Sequence, residues 1–450
     1  MSSSQKFIEL IKNYDSRIAV VFNKKQFTYR SLYVKIDFYK NVLSKNNISK
    51  GQVVLIVSDY SFDSIALFFA LSANGSIVIP VTSQKSIEIS DRINEAKPEW
   101  IFNLREDSLL NIDKNFDVER HDLIKRIQKA QASGLILFSS GSTGKPKAMI
   151  HNLDSLLSSY LEKKPRSLNF LVFLMFDHIG GLNTLFNCLA IGSTMTIPEN
   201  RRPDHICYLI EKYKVNILPS SPTFLNLMLI GKSFEKFDLS SLRMITYGTE
   251  AMPESLLLKL KDVLPSIKFI QTFGTSETGI AKTTSKSSIS TLLKIDDRDQ
   301  EYKIVNNELW LRSKTQILGY INHDNVSFTN DGWFKTGDLV EVFDDGYLKI
   351  IGRSKEVINV GGEKVLPREI ESVILELPEI LDCKAQGVSN SITGQMVAVE
   401  VVVNKEYDSE NIKSLVRKHC RSKLAAYKVP AKIRIVDRLE FSDRFKKIRS

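Results

Sequence analysis

The sequence predicts an α/β protein. A large N-terminal domain of doubly covered, mostly parallel sheets carries a β-rich subdomain and is followed by a small C-terminal α+β domain. Three observations predict this. From Ala19 onward, short apolar runs alternate with helix-length segments, and alternating β and α elements build parallel sheets with helices on both faces. From Asn307 the pattern changes to short strands broken by turn residues. After a glycine-rich joint that opens at Gly352, helix and strand patterns return. The expected domains are residues 1–353 and 354–450.

The elements follow in order. Residues 19–22 read as a short strand, and the Thr28 hydroxyl suits the cap of a helix that runs to about Leu43. Residues 51–57 read as a buried strand, 61–73 as a helix, 76–81 as a strand, 87–96 as a helix and 100–103 as a strand. After a polar loop at 139–147, residues 152–161 read as a helix. Residues 169–176 read as a fully buried strand that runs into the glycine-rich break Asp177-His-Ile-Gly-Gly. Residues 183–191 read as a helix, 194–197 as a strand, 204–213 as a helix, and 217–223 as a strand followed by a kinked loop. Two further strands end in Gly248-Thr249-Glu250 and in Gly274-Thr275-Ser276-Glu277. Polar loops at the carboxyl ends of strands converge on one crevice in open α/β sheets. Beyond Asn307, Asp345-Gly346 marks a hairpin turn. Residues 368–377 (helix), 396–403 (strand) and 409–424 (helix) complete the small domain.

Composition bounds the function. The chain has 450 residues, 43% hydrophobic and 25% charged, which is ordinary for a globular protein. No run approaches the roughly 18 apolar residues of a membrane span, and the N-terminus lacks a signal-peptide apolar region. The four cysteines (Cys188, Cys207, Cys383, Cys420) lie far apart without a Cys-x-x-Cys pair. That spacing opposes a zinc site or disulfide framework and fits a reducing cytoplasm. The net charge is +10 and the pI about 9.1, but the lysines are scattered and no nucleic-acid-binding pattern is present. No nucleic-acid partner is expected, and the positive field favours an anionic substrate.

The loop at 139–147 carries the chemistry: Ser139, Ser140, Gly141, Ser142, Thr143, Gly144, Lys145, Pro146 and Lys147. Glycines let backbone approach a ligand, consecutive amides form an anion nest, hydroxyls add donors, and two lysines add charge. A Walker loop would place Ser or Thr after Gly144-Lys145; Pro146 stands there instead. The loop suits a polyphosphate held in another way.

Taken in order, these turns resemble the acyl-adenylating (AMP-forming) superfamily of acyl-CoA synthetases, adenylation domains and luciferases. Residues 139–147 resemble its phosphate loop. Tyr247-Gly-Thr-Glu-Ala resembles its adenine turn, Phe273-Gly-Thr-Ser-Glu277 its Tyr-Gly-x-Thr-Glu, and Trp333-Phe-Lys-Thr-Gly-Asp338 its ribose-contacting turn. Gly352-Arg353 through Glu371 resembles the hinge and the start of a mobile small domain.

The resemblance implies ATP-dependent activation of a carboxylic acid to acyl-AMP with release of pyrophosphate. The acyl group then passes to a thiol, most directly that of coenzyme A. It implies ATP, Mg2+ and coenzyme A as cofactors and a carboxylic acid as substrate. Carried over residue by residue, Ser139, Ser140, Ser142, Thr143, Lys145 and Lys147 hold the departing phosphates. Gly248, Thr249 and Glu250 face adenine, and Phe273 stacks on it. Gly274, Thr275 and Ser276 approach the α-phosphate, and Glu277 is the Mg2+ ligand. Asp338 takes the ribose, Arg353 donates to ribose or phosphate, and Lys355 marks the hinge. His178 stands beside the substrate carboxylate. The swinging lysine of the small domain is matched by Lys446, with Lys447 as the alternative. Here the tail reads Asp443-Arg-Phe-Lys-Lys-Ile-Arg449 and lacks the family's glycine before the lysine. Two other readings stand beside this one. An amino or hydroxy acid could be loaded onto an acyl or peptidyl carrier protein, with Asp177 gripping an amine, or the chain could be a catalytically silent adenylate binder.

Overall fold

The computed structural model describes residues 1–106, 108–111, 120–139, 146–407, 411–442 and 444–448. The loop residues 140–145, and Asp443 and Arg449 of the tail, lie outside the described residues.

Two seven-stranded sheets form the body of the large domain. In the first, strands Lys268–Gln271, Met244–Tyr247, Ile217–Ser220, Asn169–Leu171, Thr194–Thr196 and Ile18–Phe22 run parallel, and Lys25–Thr28 adds an antiparallel edge. In the second, Ile77–Val81, Val53–Val57 and Trp100–Asn103 are parallel neighbours. Helix Phe62–Asn74 has ten buried positions, so it packs on nearly all sides. Its Ser61 cap accepts from Ser64 N–H, and Gly75 at φ 78 ends it in the left-handed conformation that glycine tolerates. A six-stranded antiparallel sheet built from residues 283–353 is the β-rich subdomain, with Asp345 and Gly346 both at positive φ in its hairpin turn. The small domain is a five-stranded sheet with helices Pro367–Ile374 and Ile412–Lys423. The cysteines are all buried and unbridged. Among the described residues no helix is long and apolar enough to cross a membrane.

Several expected elements change. The apolar run at 169–176 is a strand only through Leu171. Beyond it, the Phe173 carbonyl accepts from Arg201 Nε at 2.6 Å and Phe176 N–H donates to Asp59, so side chains replace the ladder while Val172, Phe173 and Phe176 stay buried. The expected break at Gly180-Gly181 is the first turn of helix Ile179–Ala190. A Cβ on Gly181 would lie 2.0 Å from the Met175 carbonyl oxygen, so here glycine permits close approach of the helix and does not end it. The expected loop at 221–223 is also helical: Ser221 caps Pro222–Ile230, and Pro222 takes the first-turn position that needs no N–H. Helix Leu153–Ser158 ends earlier than expected, and strand Lys147–Asn152 precedes it. Helix Ser3–Asn13 and strands Ile380–Asn390 and Lys432–Ile435 have no counterpart in the sequence expectations.

Candidate active site

Register places the site. Ser220, Tyr247 and Gln271 are paired neighbours, so three parallel strands end level with one another. The turns after them reach one cleft of about 1640 Å³. Gly248, Thr249 and Glu250 line it. A Cβ on Gly248 would lie 2.5 Å from the Thr272 hydroxyl, so this turn requires glycine. Thr249 adopts φ 70, and its hydroxyl is buried without a hydrogen-bond partner at the cleft wall. Glu250 accepts from the Thr223 N–H at 3.0 Å and so also caps the helix Pro222–Ile230.

Phe273, Gly274 and Thr275 are one strand of a tight hairpin with Gly279–Ala281, with Ser276 and Glu277 at its tip. A Cβ on Gly274 would lie 2.4 Å from the Gly279 carbonyl oxygen. The Thr275 hydroxyl is engaged by Thr278, which fixes the turn. Glu277 Oε1 accepts from the Tyr320 hydroxyl at 2.8 Å. The Lys147 ammonium lies 5.6 Å from the centre of the same Tyr320 ring. Ser139 pairs with Lys147, so both ends of the phosphate-loop hairpin sit on the cleft wall beside this carboxylate. Ser140, Gly141, Ser142, Thr143, Gly144 and Lys145 lie outside the described residues. Among the described residues no group of three or more His, Cys, Asp or Glu could form a metal cage. The lone carboxylate of Glu277 is the donor set expected for an ion that keeps water and substrate phosphate as its other ligands.

Arg353 and Lys355 lie on the opposite wall. Asp338 pairs with Arg353 across two strands, its Oδ1 2.8 Å from Arg353 Nε, and stands just behind that guanidinium, 5% exposed. Burial raises its pKa, and Arg353 opposes that shift.

His178 is the N-cap of helix Ile179–Ala190, its Nδ1 accepting from the Gly180 N–H at 3.1 Å. Burial, then Arg444 and Lys446, hold its pKa well below the ordinary value. The ring is therefore neutral with its proton on Nε2, facing the cleft as a donor.

The tail brings in the last group. Arg444 Nη2 lies 3.7 Å from Asp177 Oδ1, and the Phe445 ring packs on Phe173 and Phe224. The Phe445 carbonyl accepts from the Ser221 hydroxyl at 3.0 Å. Phe445 has φ 51, the left-handed region where glycine is at ease. The backbone thus takes a conformation glycine adopts most easily, and an aromatic anchor fills the adjoining space. Lys446 then projects into the cleft, and its ammonium has no hydrogen bond or ion pair among the described residues. Burial lowers its pKa. Glu250 and Asp338 work against this, while Arg444 and Arg353 add to it. Lys447 borders the same cleft, but its ammonium is committed to Asp382 Oδ1 and the Cys383 carbonyl, both at 2.7 Å. Burial opposes its charge, and Asp382 overcomes that and raises its pKa.

Residues 8–311 match the family model described as AMP-binding enzyme, and residues 369–446 match the AMP-binding enzyme C-terminal domain. The chain belongs to the AMP-binding enzyme family. Within this family it is 29% identical to the 2-succinylbenzoate–CoA ligase of Bacillus licheniformis over 330 residues, 68% of this chain and 66% of that protein. It is 24% identical to the 2-succinylbenzoate–CoA ligase of Bacillus pumilus over 455 residues, 94% of this chain and 92% of that protein. A crystal structure of an anthranilate CoA ligase in complex with anthranoyl-AMP shares the fold, with TM-score 0.83 at 20% identity over 99% of this chain and 97% of that one.

The structure of this AMP-binding enzyme adds residues that sequence reasoning missed. Tyr320 holds Glu277 from a two-residue strand, Gly319–Tyr320, that carries no local signal. Arg444 and Phe445 became legible only as packing partners of Asp177 and Phe173.

Proposed function

We propose that this enzyme activates a carboxylic acid with ATP and transfers the acyl group to the thiol of coenzyme A. The observation that carries the reading is Lys446: a desolvated, unpartnered ammonium delivered by the small domain into a cleft whose other wall holds Glu277, Tyr320 and Lys147. Such an ammonium stabilises charge that develops between an attacking carboxylate and a phosphate.

In the first step a carboxylate oxygen of the acid attacks the α-phosphorus of ATP. The bond to the bridging oxygen breaks, and pyrophosphate leaves with the electron pair. Ser139 and Lys147, with the loop between them, hold the departing phosphates. His178 donates from Nε2 to the acid's carboxylate and orients it. Arg353, backed by Asp338, takes the ribose. Gly248, Thr249, Glu250 and Phe273 receive adenine. Mg2+ would be held by Glu277 and would neutralise phosphate charge. In the second step the thiol sulfur attacks the acyl carbonyl, AMP leaves, and the thiol proton passes to solvent. That step requires Lys446 to withdraw, and the hinge between residues 353 and 354, beside Lys355, is where the small domain would turn. Asp177 is engaged by Arg444 and the Thr82 N–H and does not line the cleft, so nothing there favours an amine-gripping site.

The test is acid-dependent exchange of labelled pyrophosphate into ATP across a panel of aliphatic, aromatic and amino acids, followed by coenzyme A addition. Exchange with at least one non-amino acid, and thioester formation on adding coenzyme A, is expected. Absence of exchange with every acid would overturn the proposal, as would exchange confined to amino acids.

A further inference from the structure

Beyond the nucleotide, the cleft continues along the inner face of helix Ile179–Ala190, away from its His178 cap. Between the two ends the wall includes the apolar Phe170, Ile217 and Ile280, with Ile191 beside the far end. The far end itself is basic. Lys163, Lys164, Arg166 and Lys282 all contribute to the wall there, and none makes an ion pair among the described residues. The Lys163 ammonium donates to the neutral Asn187 amide oxygen and lies 4.8 Å from the Tyr160 ring centre. Asn187 in turn donates to Asn183 Oδ1 at 2.9 Å, which also accepts from the Tyr160 hydroxyl at 2.8 Å. Lys163 is thus positioned by a polar ladder on the helix face and is not loose on the surface.

Burial holds the Lys163 pKa below the ordinary lysine value; Asp297 opposes this and Lys282 adds to it. Asp297 is the acid whose charge acts on this group, but its Oδ2 accepts the Lys282 backbone N–H and its Oδ1 the Asp299 N–H. The end of the pocket therefore keeps an excess of positive charge around a concavity. Such a wall repels itself until an anion arrives and gives nothing to a hydrocarbon terminus.

We propose that the acid activated here carries a second anionic group, carboxylate in the simplest case, joined to the activated carboxyl by an apolar linker and received by Lys163 and Lys282 with Lys164 and Arg166 at the rim. The spacing follows from the helix. His178 and Asn187 are nine residues apart in sequence, which is about 13 Å at the helical rise, so the two acid groups stand roughly 10–14 Å apart. This rests on the acid-activation reading above and deepens it.

The test pairs each monocarboxylic acid with its dicarboxylic counterpart, in straight-chain series from short to long and in aromatic pairs, and measures acid-dependent pyrophosphate exchange. Diacids of the matching length should be preferred over their monoacid partners. The double variant Lys163→Met/Lys282→Met should cut the ratio of kcat/KM for diacid over monoacid by roughly tenfold to a hundredfold, the range for lost charged hydrogen bonds. Both side chains lie at the solvent edge, so circular dichroism should match the parent. Equal or better use of monoacids overturns the proposal while leaving acid activation standing. So does a variant whose acid preference is unmoved and whose KM for coenzyme A rises, which would assign the basic end to coenzyme A phosphates. Silence with every acid instead overturns the underlying acid-activation reading.

Discussion

Replacing Phe445 separates two opposing contributions to the placement of Lys446. The ring is half-buried against Phe173 and Phe224, with centroids 5.3 and 5.0 Å away. Its removal from a partly buried site costs about 2 kcal/mol of docking, from lost burial and two aromatic contacts. At φ 51 the residue also bears a left-handed backbone, which costs a non-glycine residue about 1–2 kcal/mol. Phe445→Ala loses the ring and keeps the strain, so the docked tail is depopulated and the adenylation rate falls by roughly thirtyfold. Phe445→Gly loses the ring and sheds the strain, but gives back about 0.5–1 kcal/mol to glycine's freedom when undocked. The glycine variant should therefore adenylate about two- to fivefold faster than the alanine variant, though slower than the parent. Pyrophosphate exchange reads this directly. Thioester formation from supplied acyl-AMP, which does not use the docked tail, supplies the control and should hardly change. An alanine variant as fast as the parent, or a glycine variant slower than the alanine one, would refute the reasoning.

Other outcomes follow from the same geometry. Lys446→Met should abolish pyrophosphate exchange with no loss of stability, whereas Lys447→Met leaves Asp382 buried without its partner and should cost about 3–5 kcal/mol in denaturant unfolding. Because burial lowers the Lys446 pKa, its ammonium loses its proton below pH 10.5, the ordinary lysine value. The adenylation kcat/KM should then show an alkaline fall that begins below that pH and disappears in Lys446→Arg. Gly181→Ala forces a methyl to within 2.0 Å of the Met175 carbonyl oxygen. It should lower the thermal midpoint of the large domain, and an unchanged midpoint would show that this helix turn has room to move.

The architecture was legible where local chemistry and periodicity agreed. Thr28 and Ser61 have the hydroxyls that helix starts need, and both are caps in the structure. The runs at 53–57 and 77–81 are uniformly apolar, as buried parallel strands must be, and they pair as neighbours. Reading failed where tertiary contacts replaced backbone pairing. The run at 170–176 is apolar and largely buried, yet Arg201 and Asp59 take its backbone groups after Leu171. Gly180 and Gly181 read as part of a break after a strand, but they lie in a helix turn where the absent Cβ admits the preceding carbonyl. At the site, motif residues with fixed local spacing were found readily. Tyr320 was not, since its value lies in touching Glu277 across 43 positions of sequence. Lys446 and Lys447 are chemically identical neighbours, and only the Asp382 carboxylate, 65 positions from Lys447, tells them apart.

The opposed commitments of those two lysines have a consequence for the length of the tail. Lys447 is bolted into the small domain through Asp382, while Lys446, one peptide bond earlier, reaches into the large one. A bridge between Phe441 and Lys447 closes a tight turn around them, with Phe445 at its left-handed position. The two adjacent side chains leave that turn toward different domains, so the tail works as an escapement with a single permitted tooth. Inserting or deleting one residue between that bridge and Lys446 would turn the anchor toward the nucleotide and the reactive amine toward Asp382. A substitution that keeps the length, such as Phe445→Gly, leaves this pairing of side chain and partner in place; a change of length does not.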